Sequence, residues 1–458
     1  MEPPGKITAS LKHRSLRAGA WVGAGHAAGQ VIRLVGNLIL ARFLMPEAFG
    51  IMAVISTLLM ALNLLSDIGT GPVIIQSGRG ADRDFLNTAW TLQIIRGFVL
   101  WIIGLLLALG IAFGQSMAWF TPGTVYADPR LPVLIAVAVF ATIIHGFASM
   151  KIKLAERNLD LRSTALLDLS SAPIGVLVMV IGAVLTESVW ALVIGSLVGA
   201  LMRSVLSHLM LKGPSPALRL ESEALRELLG KGKWVMLSTL LGFVAINSDR
   251  VLLGGLADST TFGLYSIALA LGSIGPAVVA MLLMRVVLPA ISEVVRERRS
   301  ELVRTYRHFQ RLVDVCLGLM AGTMFMASDA IIQLLYDARY HAAGHIFAVL
   351  AIGSIGARFF VVDLVSTAMG RNSLVAASMV PRVVILLAGL PIGYSLYQLD
   401  GALAAIVCSQ FVQWPIAIWV RMKHGLNSLR NDVLLPIALV AGGCIGWLLD
   451  RALRMLSA

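Results

Sequence analysis

The chain has 458 residues, of which 58% are apolar and only 14% are charged, and its formal net charge is +12 at pH 7. A soluble protein of this size does not bury so large an apolar fraction, so the composition excludes soluble classes and indicates a polytopic membrane protein. The positive charge does not call for a nucleic-acid partner, because basic loops that face anionic lipids account for it.

Long apolar runs predict membrane-spanning helices, because backbone N–H and C=O groups in lipid must pair within their own segment. We therefore predict an all-α fold with about 12 to 14 transmembrane helices. The first run is expected to be retained as a span, since it is too long and too polar for a signal peptide. The predicted spans are 18–41, 51–76, 88–113, 132–150, 164–186, 190–211, 234–257, 264–288, 311–327, 346–370, 373–397, 402–420 and 433–449.

Lysine and arginine are distributed unequally over the segments between these spans. With a cytoplasmic N-terminus, 25 of the 37 lie in cytoplasmic segments, five on the opposite side and seven inside spans. This asymmetry predicts a multi-pass membrane protein whose N-terminus is cytoplasmic.

The first span carries a polar stripe. His26, Gln30, Arg33 and Asn37 follow one another at intervals of four, three and four residues, which places them on one face of a helix. Such a stripe along most of a span predicts one wall of a hydrated cavity. The alternative is a set of hydrogen bonds between helices in a packed core.

The second span contains the sequence LLSDIGTGPVIIQ (residues 64–76). Two glycines and a proline follow Asp67, so the helix is expected to break there, with Ser66 or Asp67 capping its second half. A broken helix in a transporter often marks a hinge or a binding site. Asp67 is therefore a candidate hinge or coupling residue, with a purely capping role as the alternative.

Two polar segments are predicted to form amphipathic helices at the membrane surface. Residues 217–234 place leucines on one face and are expected to end at Gly230 as a C-terminal cap. Residues 291–311 are expected to form a basic helix with apolar residues along one side. We interpret both as connectors, with partner docking as the alternative.

A weak internal repeat relates the two halves of the chain. A shift of 213 positions aligns Phe49-Gly50-Ile51 with Phe262-Gly263-Leu264. Six spans precede the polar linker, so both halves enter the membrane in the same direction, and two parallel six-helix lobes around a central cavity are predicted. The predicted domains are an N-terminal lobe (1–211), a linker (212–233), a C-terminal lobe (234–425) and an accessory last span (426–458).

Several charged residues lie deep in the predicted spans, where each costs roughly 2.5–3.5 kcal/mol on insertion scales. These charged side chains are expected to face each other or a hydrated cavity. The alternative is that they form ion pairs that only hold the helices together. Arginine suits phosphate and carboxylate oxygens, so an anionic substrate is favoured. The set comprises Arg33, Asp67, Asp249, Arg250, Arg358, Asp363 and Arg382. No cofactor, metal site or catalytic residue is expected.

Four stretches of the sequence, among them ARFLMPEAFGIMAV (41–54) and NSDRVLLGGLADSTTFGLYSIALAL (247–271), resemble the Wzx-type oligosaccharide flippases. These form the polysaccharide-transport family of the MOP superfamily, and the resemblance covers about residues 15–425. It implies two lobes around a cavity that opens alternately to either side. It also implies that the protein lies in the bacterial inner membrane and moves an undecaprenyl-pyrophosphate-linked oligosaccharide from the cytoplasmic to the periplasmic leaflet. The oligosaccharide would serve exopolysaccharide, capsule or O-antigen assembly, with a polymerase and a chain-length regulator as candidate partners.

The resemblance implies a cationic lumen but does not fix the roles of individual residues. Substrate-binding candidates are Arg33, Arg250, Arg358, Gln30, Asn37 and His26, and coupling or hinge candidates are Asp67, Asp249 and Asp363. The main alternative is a cation-coupled MATE-type exporter, in which acidic residues would dominate an apolar pocket. A non-transporting scaffold for polysaccharide polymerases is a further alternative.

Overall fold

The structure is a computed structural model that describes residues 4–65, 73–74, 77–426 and 432–457, without the side chains of residues 4–20, 22, 65, 229–241, 372, 376, 456 and 457. The regular secondary structure in this part of the chain is entirely helical, which confirms the predicted all-α fold class. The first half contains α1 (Pro4–Phe43), α2 (Pro46–Leu65), α3 (Arg83–Ser116), α4 (Leu131–Ala138), α5 (Phe140–Gly146), α6 (Lys151–Arg157), α7 (Leu161–Thr186) and α8 (Trp190–Leu209).

The second half begins with one long helix and continues through shorter ones. These are α9 (Ser222–Leu256), α10 (Ser259–Gly272), α11 (Ile274–Leu282), α12 (Leu288–Glu297), α13 (Leu302–Met326), α14 (Ser328–Leu335), α15 (Ala343–Gly353), α16 (Phe360–Ala368), α17 (Asn372–Val384), α18 (Leu390–Phe411), α19 (Trp414–Lys423) and α20 (Leu434–Ser457).

The chain separates into two compact units. The first comprises Met1–Leu44 and Ile51–Phe243, and the second comprises Met45–Gly50 and Val244–Ala458. The boundary between them falls inside α9, and the first turn of α2 belongs to the second unit.

Nine helical runs in the described residues are long and apolar enough to cross a membrane, and a tenth results if a bent pair forms one span. That pair, Leu131–Gly146 and Lys151–Arg157, is bent by 60° where the fourth span was expected to end. The predicted span 311–327 overlaps the longer run Arg299–Met326 in all but its last residue. The eleventh and twelfth predicted spans meet at a kink in α18, where Gln398 has a φ of +52°.

Two predictions about the polar connectors are wrong. Helix α9 continues through Gly230 instead of ending there, because a glycine costs only about 1 kcal/mol inside a helix whose other backbone bonds are retained. The segment 291–311 is not one helix: α12 ends at Glu297 and α13 starts at Leu302, after a 3₁₀ turn. This break lets the side chains of Leu302 and Tyr306 enter the core of the second unit.

Small residues allow the helices to pack closely, as is common between membrane helices. In the first unit, a Cβ added at Gly175 of α7 would lie 3.0 Å from the Cα of Gly199 in α8. In the second unit, Thr323 of α13 donates a hydrogen bond to the carbonyl of Gly442 at 3.0 Å. Helix α20, the predicted accessory span, is therefore packed along α13.

Loops that the span assignment places on one side of the membrane meet within each unit. In the first unit, Arg79, after the second span, contacts both carboxylate oxygens of Glu221 in the linker at 2.8 Å. In the second unit, Thr260, after the seventh span, donates to Glu47, after the first span, at 2.5 Å. These contacts fit the predicted alternation of spans, and the absolute orientation stays a prediction.

Candidate functional site

The polar stripe of α1 is partly exposed in the first unit. Arg33 donates from Nε and Nη2 to Oε1 of Gln30 at 3.3 and 2.9 Å. Among the described residues no carboxylate lies within ion-pair distance of Arg33. Its hydrogen-bond partner is an uncharged amide, so the positive charge of Arg33 is not neutralised. His26 is exposed and Asn37 is half-buried on the same side of the helix.

The α1 stripe lies beside the face that packs against α7, not on it. A Cβ added at Gly36 would lie 2.7 Å from a methyl group of Val176, and one at Gly25 would lie 2.9 Å from the Cβ of Ala165. Arg33 projects about 60–80° round the helix from these two glycines. The packing of α7 therefore leaves the guanidinium group accessible.

In the second unit, Asp249 is buried between α9 and α10. Its side chain is only 7% exposed, and it accepts a hydrogen bond from the hydroxyl of the fully buried Tyr265. The other carboxylate oxygen of Asp249, Oδ1, has no hydrogen-bond partner in the described part of the chain. A buried carboxylate with one unoccupied oxygen is a candidate for ion or proton binding.

Two arginines surround this carboxylate. Arg250 donates to the side-chain oxygen of Asn247 at 3.2 Å, and Arg382 of α17 interacts electrostatically with Asp249. The Nε of Arg382 is buried and lacks a hydrogen-bond partner among the described residues. Two guanidinium groups around one carboxylate give this cluster an excess of positive charge. Arg382 was recognised from sequence as a deep charge but not as a member of the binding set.

Replacing Tyr265 with phenylalanine is expected to destabilise the protein by about 1–2 kcal/mol, because the buried Asp249 would lose its hydroxyl donor. The measurement is the unfolding midpoint of the purified protein in detergent. Tyr394→Phe is the matched control, since no hydrogen bond to its hydroxyl is found in the described structure. Equal midpoints for the two variants would show that the contact contributes nothing.

Arg358 lies in a different environment from the other predicted ligands. It is 9% exposed, and its Nε and Nη2 each lie 3.0 Å from an oxygen of the fully buried Asp314. The same Nη2 lies 3.0 Å from Asp432, whose carboxylate is also held by Arg421 at 2.9 and 3.1 Å. Gln310 donates to Asp314 at 2.8 Å.

This network balances two arginines with two aspartates. Although burial raises the pKa of Asp432, hydrogen bonds from Arg421 and Arg358 bring that pKa below its usual value. Arg358 thus has its charge neutralised inside the second unit, and its predicted role as a substrate ligand stays a prediction. The sequence alone does not single out Asp314 as the partner of Arg358, because no local pattern reveals a contact between residues 44 positions apart.

The remaining coupling candidates are placed differently. Asp363 of α16 is partly buried, accepts a long hydrogen bond of 3.5 Å from Ser378, and lines a small cavity that also includes Gln413. Asp67 lies outside the residues that the structure describes. Among the described residues, Asp363 makes no contact with the Asp249 cluster.

A sequence model of the family described as polysaccharide biosynthesis protein matches residues 39–345, which is more than half of the chain. The lipopolysaccharide biosynthesis protein WzxC of Escherichia coli (strain K12) is 19% identical over 451 residues, covering 94% of this chain and 89% of that protein. Alignments to two other curated relatives cover 64% and 62% of the relatives' own length.

Two solved structures share the fold across most of the chain. A multidrug resistance MATE family transporter of the MOP superfamily, in an inward-facing conformation, gives a TM-score of 0.68 at 14% identity, covering 86% of this chain and 94% of that one. The lipid II flippase MurJ, in an inward closed conformation, gives the same TM-score of 0.68 at 11% identity, covering 94% and 96%. The predicted MOP-type fold is confirmed, and the equal scores do not separate a flippase from an exporter.

Proposed function

The chain belongs to the polysaccharide biosynthesis protein family, and from this premise we propose that it is a lipid-linked oligosaccharide flippase, a transporter and not an enzyme. Its substrate is an undecaprenyl-pyrophosphate-bound sugar repeat unit, moved from the cytoplasmic to the periplasmic leaflet by alternating access. Such a headgroup cannot cross hydrocarbon unaided, because each unpaired polar group costs several kcal/mol. The lipid tail can remain in the bilayer while the protein carries the headgroup.

The observation that carries the proposal is that two arginines have uncharged hydrogen-bond partners. Arg33 and Arg250 hydrogen-bond to the neutral amides of Gln30 and Asn247. Each guanidinium group therefore keeps its charge and free N–H donors, which match the oxygens of a pyrophosphate. A pocket for small cations would instead need an excess of carboxylates, so this charge balance favours the flippase over the MATE-type exporter.

The other predicted residues have supporting roles in the proposal. Gln30, Asn37 and His26 offer uncharged donors and acceptors to sugar hydroxyls along the α1 stripe. Asp249 and Asp363 are proposed to couple transport to a cation gradient, because the buried Asp249 and the partly buried Asp363 have no direct ion pair among the described residues. Arg358 is proposed to support the site through the fold of the second unit.

Replacing Arg33 or Arg250 with alanine is expected to reduce polysaccharide export at least about tenfold while protein levels stay normal, because one charge-assisted contact to the headgroup is worth about 1.5–3 kcal/mol. The measurement is complementation of a strain lacking the gene, with surface polysaccharide and cytoplasm-facing lipid-linked repeat units both quantified. Arg33→Lys should restore part of the export by returning the charge.

The matched control is Arg203→Ala. Arg203 also lies in an apolar helix, but it pairs with the exposed Asp168 at 2.8 Å, an interaction worth at most about 1 kcal/mol. Wild-type export by the Arg33 and Arg250 variants would remove the site assignment. Normal surface polysaccharide in the deletion strain, together with new sensitivity to cationic drugs, would point to the exporter.

A further inference from the structure

Three loops of the second unit bring basic side chains together at one end. Arg299 lies in the 3₁₀ turn between α12 and α13, Arg371 lies between α16 and α17, and Lys423 and His424 end α19. Arg371 Nη1 and His424 Nε2 are 3.3 Å apart. These four residues form what we call the basic cluster. All three loops belong to the side predicted to be cytoplasmic.

Helix caps fix the backbone of the basic cluster. Gly370 has a φ of +72°, and the N–H of Arg371 bonds to the carbonyl of Ser366 at 2.8 Å, as in a Schellman cap. Helix α19 ends in the same way, with Gly425 at a φ of +64° and the N–H of Leu426 bonded to the carbonyl of Arg421 at 2.8 Å. Leu426 is completely buried, so the positions of both cluster segments are built into the fold.

The nearby positive charges disfavour protonation of His424. Burial, Arg371, Lys423 and Arg299 together lower the pKa of His424 below its ordinary value. At neutral pH its Nε2 therefore accepts the N–H of Arg371, and its Nδ1–H remains available as a donor.

The basic cluster lacks a matching negative charge. In the described part of the chain, no carboxylate forms an ion pair with Arg299, Arg371 or Lys423. The C-terminal ends of α16 and α19 each supply about half a negative charge, which leaves roughly two positive charges in excess. The neighbouring ion network of Arg421 and Asp432 is already neutral and offers no compensation.

From this geometry we propose that the basic cluster binds a phosphate group, with a phosphate-bearing lipid headgroup at the membrane surface as the ligand. The planar fork of Arg371, the point charge of Lys423 and the donor of His424 suit an anion with several acceptor oxygens. Lys423 lies 4.6 Å from the ring centroid of Trp419, and Trp and Lys together are typical of the level of lipid headgroups. The site is separate from the transport residues proposed above and does not depend on them.

The test measures binding to the purified full-length protein in uncharged detergent by calorimetry. One arm titrates short-chain phosphatidylglycerol below its micelle concentration, and the other titrates inorganic pyrophosphate. Saturable binding of the lipid, with one ligand per chain, is expected. Each charge removed by Arg299→Gln, Arg371→Gln or Lys423→Gln should weaken it about fivefold, and the triple variant on the order of 100-fold.

The control removes three exposed arginines from the same side, with Arg296→Gln, Arg298→Gln and Arg304→Gln. It should change the affinity less than about fivefold. Binding of pyrophosphate but not of lipid would assign the same chemistry to a soluble phosphate ligand. Equal losses in the two triple variants, or no saturable binding of either ligand to the wild type, would overturn the proposal. Because all three substituted side chains are exposed, the single variants keep the test valid if the triple variant folds poorly.

Discussion

Replacing Arg358 with alanine is expected to lower the free energy of unfolding by about 3–5 kcal/mol, which is among the largest effects of a single substitution. The change would leave the fully buried Asp314 without its bidentate partner and would remove one of the two arginines that hold Asp432. The measurement is the unfolding midpoint in detergent, together with the amount of folded protein in the membrane.

The control for this prediction removes both members of the pair. Arg358→Met combined with Asp314→Leu eliminates the buried carboxylate together with its cation, while Arg421 and Asp432 remain paired. Removing a buried pair as a whole is often neutral, so the double variant should be more stable than Arg358→Ala. A normal midpoint for Arg358→Ala, combined with lost export, would instead favour direct contact between Arg358 and the substrate.

Replacing Gly263 with alanine is expected to destabilise the second unit by about 3 kcal/mol, the upper end of the range for overpacking. A Cβ at this position would overlap the carbonyl group of Pro46, a backbone group that cannot move without displacing the first turn of α2. The unfolding midpoint in detergent is again the measurement.

Gly110→Ala in α3 is the matched control, because a Cβ there meets nothing within 4 Å. That substitution should be neutral or slightly stabilising, since alanine is favoured over glycine inside a helix. Similar midpoints for the two alanine variants would show that the close approach of α2 and α10 does not constrain the fold.

This crossing also gives the internal repeat a structural counterpart. Gly50 and Gly263 are 213 positions apart, and each touches the segment that precedes the other: a Cβ at Gly50 would lie 3.0 Å from the carbonyl oxygen of Ser259. The hydrogen bond between Glu47 and Thr260 joins residues with the same spacing of 213. Reciprocal contacts of this kind are expected of two elements related by a twofold axis. The internal repeat between the two halves of the chain stays a prediction.

The sequence alone determined the membrane class, the helical fold and the family. Each of these depends on composition or on patterns spread along the chain, and lipid leaves a backbone few alternatives to the helix. Local geometry was also predictable: Arg33 meets Gln30 because residues three apart share a helix face.

Only the tertiary structure decided which deep charges are neutralised. Arg358 and Arg250 look alike in the sequence, yet one is held by Asp314, 44 residues away, and the other by the nearby amide of Asn247. The same is true of the basic cluster, whose members come from three loops. Long-range ion pairing depends on which helices pack together. Helix packing in turn depends on the shape complementarity of many side chains from distant parts of the sequence, so no single stretch of sequence reveals it.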